Sequence, residues 1–155
     1  IYFHSADKGA MLMALIDRAE ARVIAPLITM LGEPGSAPDK LVEYLHYWAR
    51  IGIEQRETMF LPILASLEFA NTGDQIEKRL TRMYEKLYAA LTKIFERGFA
   101  DGSITEYAPA RDQAAIVIAM NEGMLLEWLR HTSTINGPAI VRGMRSMLIS
   151  GFIRK

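Results

Sequence analysis

At 155 residues, half of them hydrophobic, the chain is long enough for one domain with a substantial core. Eighteen basic and eighteen acidic side chains cancel, which excludes a global attraction to nucleic acid or to an anionic membrane. The absence of cysteine excludes disulfides and thiolate chemistry and suits a reducing cytoplasm. No signal peptide or spanning segment is visible, and IYFH opens without a helix start signal, so the chain is expected to begin inside an element.

Asp7 is placed to cap a first helix with the apolar stripe Leu12, Leu15, Ile16, Ala19 and Val23, which Pro26 is expected to kink or end. After the breaker Gly32-Glu-Pro-Gly35, Ser36 with Pro38 and Asp39 starts a second helix. Its core face is Leu41, Tyr44, Leu45, Trp48 and Ile51, widened by Val42, His46, Ala49 and Ile53, which leaves Glu43, Tyr47, Arg50 and Glu54 for solvent or partners. A short helix is expected near Pro62, with Asn71-Thr-Gly73 as its exit. Asp74 and Glu77 form a capping-box-like start to a long helix that carries Ile76, Leu80, Met83, Tyr84, Leu87, Leu91, Ile94 and Phe95 and ends at Gly98 or Gly102.

The stretch Asp112 to Arg130 is apolar nearly all round, with Ile118, Leu125 and Leu129 on one side and Val117, Met120, Met124 and Trp128 on the other. Such a helix is expected to be buried on both sides, the second by another subunit. A last helix opens at Pro138 with the stripe Ile140, Gly143, Met144, Met147, Leu148 and Gly151. No segment alternates with strand period, so the fold is all-α, with about six helices. The last two are expected to form a four-helix bundle in a dimer, through Met120, Gly123, Met124, Trp128, Gly143, Met144, Met147 and Gly151.

Two stretches carry a resemblance. Tyr2, His4, Asp7, Lys8 and Leu12 in IYFHSADKGAML look like the Tyr-x-His-Phe-x-Ser-Lys-x-x-Leu signature of TetR-type regulators, and GFADGSITEYAPARDQAAIVIAMNEGMLLEWL resembles the family's junction between its long helix and its dimerising one. Ser5 stands where that family has Phe, and Asp7 where it has Ser. The resemblance implies a homodimeric, cytoplasmic, ligand-responsive transcription regulator, usually a repressor, without a cofactor and not an enzyme. It implies that residues 1–6 are the tail of the DNA-recognition helix, that the helix-turn-helix precedes Ile1, and that residues 7–155 bind effector and dimerise. Tyr2, His4 and Lys8 match the positions that meet operator phosphates.

An apolar or aromatic small-molecule pocket is expected between the first, second, long and central helices, with His46, Trp48, Tyr84 and Glu122 nearest to it and Tyr44, Met83 and Tyr88 beside them. Ordinary core packing accounts for the aromatic and methionine positions equally well. Glu122, an ionisable group on an apolar stripe, is either ion-paired within the fold or reserved for a ligand. Asn121 points about 100° away from it. An alternative reading uses Glu43 and His46, spaced as in di-iron bundles, with Glu122, as a metal site; such bundles need two Glu-x-x-His pairs and only one is present.

Overall fold

The computed structural model describes residues 6–131 and 133–154. The helices are α1 (Ala6–Ala19), α2 (Ala25–Gly32), α3 (Ala37–Glu54), α4 (Arg56–Glu68), α5 (Gln75–Ala100), α6 (Ala110–Arg130) and α7 (Gly137–Phe152). A π-helical turn, Glu20–Ile24, joins α1 to α2 without a break, so the described residues form six helical rods. No strand is formed among them beyond one isolated bridge. Tyr2 and His4 lie outside the described residues, and Lys8 is exposed near the start of α1.

Pro26 explains the π turn. Proline offers no N–H and its ring crowds the carbonyl four residues back, here that of Arg22. The chain widens instead of breaking, with the Ala25 N–H donating to the Glu20 carbonyl five residues earlier. The wide turn keeps Val23, Ile24, Leu27 and Leu31 on the buried side already occupied by Ile16 and Ala19. Tyr47 of α3 reaches this turn and donates its hydroxyl to the Val23 carbonyl at 2.7 Å. Tyr47→Phe is therefore expected to lower stability by about 1–2 kcal/mol, because it removes a buried donor and strands its acceptor. For a chain of this size that is a fall in Tm of roughly 2–8 °C, and an unchanged melting curve would refute the role given to this bond.

The α3 face differs from the expected one. Tyr47 and Lys40 are buried while His46 and Ile53 are exposed, so the buried arc widens on the opposite flank. His46 follows Tyr44 by two residues, about 200° around the helix, and cannot share its side. Lys40 runs under Gly35 and donates to the Met30 carbonyl at 3.0 Å and to Glu43 at 2.7 Å, which satisfies a carbonyl in the last turn of α2.

Capping at Ser36 and Asp74 follows expectation, each side chain accepting from the first turn of its helix. Asn136 caps α7 in the same way although no cap is expected there, and Asp7 lies inside α1 rather than at its cap. Helix α4 does not start at Pro62: it begins directly after Gln55, and Pro62 lies inside it. Helix α5 runs past Gly98 to Ala100, and Gly102, at φ 75°, supplies the left-handed turn that follows. Its apolar stripe, including Met83, Leu87, Leu91 and Phe95, makes it the spine on which most other helices pack.

The end of α5 is closed by a clasp. Ile104 and Ile153 form the bridge, with the Thr105 N–H donating to the Phe152 carbonyl at 2.7 Å and the Arg154 N–H to the Ser103 carbonyl at 3.1 Å. Gln113, wholly buried, donates to the Thr105 carbonyl and accepts from the Tyr107 N–H, so both halves of its amide are satisfied. The Tyr107 hydroxyl donates to the Gly151 carbonyl at 2.8 Å.

Helix α6 is buried along Gln113, Ala114, Val117, Ile118, Asn121, Met124 and Leu125, a one-sided stripe rather than the expected two-sided one. The opposite side, with Ile116, Ala119, Gly123 and Leu129, is open. Met124 and Met144 face the interior of the same chain, and Trp128 is wedged against Gly52 and Gly137, where a Cβ would approach its ring to 3.1 and 2.8 Å. These three are thus occupied within the chain. Of the expected interface residues, Gly123, Gly143 and Met147 are exposed, and Met120 and Gly151 half-buried.

Candidate functional site

The residues that carry chemistry gather where α3, α5 and α6 meet. Tyr44 and Trp48 come from the buried face of α3, Tyr84 and Tyr88 from one edge of α5, and Asn121 and Glu122 from α6. Successive turns of α5 set Tyr84 and Tyr88 four residues apart, on one side of the helix. Trp48 stands edge-on to both Tyr44 and Tyr47, with ring centroids 6.2 and 6.4 Å apart. Beside Tyr84, Tyr88 and Glu122 an open cleft of about 350 Å³ extends past Leu80 and Thr81 to the end of α4 at Ser66.

Polar atoms here are unusually poor in partners. The Tyr44 and Tyr84 hydroxyls, the Trp48 indole N–H and both amide atoms of Asn121 are buried without a hydrogen bond. Buried polar groups are ordinarily paired, because each unpaired one costs about 1–3 kcal/mol. Of these groups, Tyr84 borders the cleft, while Tyr44, Trp48 and Asn121 are buried behind its lining.

Glu122 sits at the mouth of this region with no ion pair among the described residues. Burial pushes its carboxyl above the usual value, and the neighbouring Tyr84 hydroxyl only partly offsets this. Burial, reinforced by the Glu122 charge, pushes the Tyr44, Tyr84 and Tyr88 hydroxyls up in turn, so all three remain protonated donors. A carboxyl whose pKa is raised on folding contributes stability that is complete at low pH and is lost as pH rises through its folded value. Glu122→Gln is therefore expected to raise Tm by a few degrees at neutral pH and to leave it unchanged in acid. Equal effects at both pH values would show that the buried charge is not the cause.

Of the residues expected at a pocket, Tyr84, Tyr88 and Glu122 line the cleft, whereas Trp48 is buried against Tyr44 and does not line it. Nor do His46, which is exposed across α3, and Met83, which is wholly buried in the core behind Tyr84. Asn121 and Glu122 do diverge: Asn121 is buried, while Glu122 is half-buried and lines the cleft. Glu43, His46 and Glu122 are not assembled: Glu43 pairs with Lys40, and no group of three or more metal-ligating side chains converges among the described residues. No described helix is long and apolar enough to cross a membrane.

A second set of charges links the same helix to α1. Arg79 of α5 binds Asp17 at 2.8 Å and also pairs with Glu20, while Lys86 meets Glu20 at 2.7 Å. Partial burial pushes Glu20 upward, but the bonds and charges of Lys86 and Arg79 outweigh it and hold the carboxyl below its usual value.

No protein-family model matches this chain, and no curated protein matches it. Solved structures do. The MbdR regulator from Azoarcus sp. CIB is 29% identical over 95% of this chain and 78% of its own, with a TM-score of 0.84. A TetR transcriptional regulator from Chloroflexus aurantiacus J-10-FL aligns over 99% of this chain and 77% of its own at 15% identity, with a TM-score of 0.76. A TetR-family regulator from Agrobacterium tumefaciens covers 86% of this chain and 70% of its own at 21% identity, with a TM-score of 0.71. The last two are similar in fold alone, and the first is also similar in sequence.

Proposed function

From the premise that this chain is a TetR-type transcription regulator, we propose that it carries the effector-binding and dimerising domain of a cytoplasmic, ligand-responsive repressor. The observation that carries this reading is the double duty of α5. One edge presents Tyr84 and Tyr88 to the cleft, and Arg79 and Lys86 grip Asp17 and Glu20 where α1 meets the π turn. A ligand that shifts α5 against α6 moves α1 with it.

DNA reading is assigned to a helix-turn-helix preceding Ile1, so α1 is the lever between cleft and operator. Two heads in a dimer must match half-sites at a fixed spacing, and a tilt of α1 changes that spacing. The second subunit is proposed to cover the open side of α6 together with α7, where Ile116, Leu129 and Met147 are exposed and Gly123 and Gly143 have nothing within 4 Å. The cleft is proposed as a binding site, with the Tyr84 hydroxyl unpartnered and the Glu122 carboxyl without an ion pair among the described residues.

The test is a DNA mobility-shift assay. Residues 1–155 are expected to show no sequence-selective binding, because phosphate contacts from Tyr2, His4 and Lys8 cannot specify sequence. The chain extended upstream of Ile1 is expected to bind selectively. Selective, salt-dependent binding by residues 1–155 alone would refute the division of roles.

A further inference from the structure

The cleft between the end of α4, α5 and α6 is lined by three carboxylates, Glu77, Glu85 and Glu122, and the Arg111 guanidinium borders it, paired with Glu85. Two of the three are already engaged. Glu77 accepts from the Asn71 and Gly73 backbone N–H groups at 2.7 and 2.6 Å, and Glu85 pairs with Arg111 at 2.7 Å. Glu122 has no such partner, and its surroundings are aromatic. Its charge is felt by Tyr44, Tyr84 and Tyr88, and Tyr44 is fully buried with an unpartnered hydroxyl.

An unpaired carboxylate costs least when a cation meets it, and the faces of aromatic rings attract the same cation through their quadrupoles. Tyr88 already receives one cation on its ring, with the Arg111 guanidinium 5.0 Å from its centroid. An anionic ligand would face three carboxylates, while a neutral one would leave Glu122 uncompensated. We propose that the ligand of this cleft is a hydrophobic organic cation, a protonated or quaternary amine on an apolar body, with Glu122 as its counter-ion and Tyr84 and Tyr88 as its ring walls. This rests on the effector-binding reading above and names the chemical class of the effector.

Binding of a permanent cation then tightens as pH rises and Glu122 ionises. The other charged groups bordering the cleft are Glu77, Glu85 and Arg111, the first tied to the backbone and the other two to each other. The tyrosines stay protonated through this range.

The experiment is calorimetric titration of the protein with benzyltrimethylammonium, with its uncharged carbon isostere neopentylbenzene and with benzoate, in the wild type and in Glu122→Gln. The ammonium is expected to bind at least about tenfold more tightly than the isostere, with benzoate weakest. Glu122→Gln is expected to remove that preference while leaving the isostere's affinity unchanged, which separates loss of the counter-ion from loss of the fold. An isostere that binds as tightly as the ammonium, or a preference that survives Glu122→Gln, overturns the cation assignment and leaves an effector cleft standing. Failure of all three probes to bind the wild type would overturn the cleft as an effector site as well.

Discussion

Gly98→Ala is expected to destabilise the chain by about 2–3 kcal/mol, although alanine is the better helix former. Gly98 lies inside α5, and a Cβ there would fall 2.6 Å from Cγ1 and 2.8 Å from Cβ of Ile104. Ile104 cannot yield cheaply. It is buried, its N–H donates to the Gly98 carbonyl at 3.0 Å, and it is bridged to Ile153. Moving it opens the clasp that ties the α5–α6 loop to the end of α7. The helix-propensity gain of about 1 kcal/mol is smaller than the cost of overpacking a pinned side chain. Thermal unfolding should show Tm lowered by roughly 4–12 °C. A raised Tm would mean that the loop relaxes freely and that the clasp is not a constraint.

Charging the open side of α6 and α7 should have the other large effect. Ile116→Glu with Met147→Glu is expected to convert the proposed dimer into a monomer at micromolar concentration while leaving the helical content intact. Both residues are exposed in the isolated chain, so neither change disturbs its core. In a two-fold interface each substitution appears twice. Even about 1 kcal/mol for each of the carboxylates then weakens association roughly a thousandfold. Light scattering distinguishes the two states directly. A double variant that remains dimeric would place the interface elsewhere on the molecule.

Helix existence and most caps are legible in the sequence because Ser36, Asp74 and the α5 stripe act within a few residues of themselves. The TetR likeness is legible for a similar reason, since it rests on a short signature and one junction. Faces are harder. Apolar spacing on α3 puts His46 and Ile53 on the widened core face, yet both are exposed, and the flank that is buried holds Lys40 and Tyr47. Their burial depends on carbonyls of Met30 and Val23, far away in the chain, which periodicity does not register. Pro62 and Gly98 look like punctuation, but tertiary packing carries the helices through both. Of the cleft, Glu122 announces itself as a charge on an apolar helix. Tyr44 is legible as a candidate aromatic group, but Asn121 is not, because what distinguishes it is the lack of partners, which only the folded chain reveals.

The π turn also bears on how this chain should be aligned with others. A turn closed by a bond from Ala25 to Glu20 holds one residue more than an α-helical turn, and it is the mark of a single-residue insertion into a regular helix. A homologue whose helix runs regularly from α1 into α2 should therefore be one residue shorter within Glu20–Ile24, with no compensating change at the Gly32–Ser36 loop. A gap placed in that loop would shift Leu27 and Leu31 out of register by one position and pair buried residues with exposed ones.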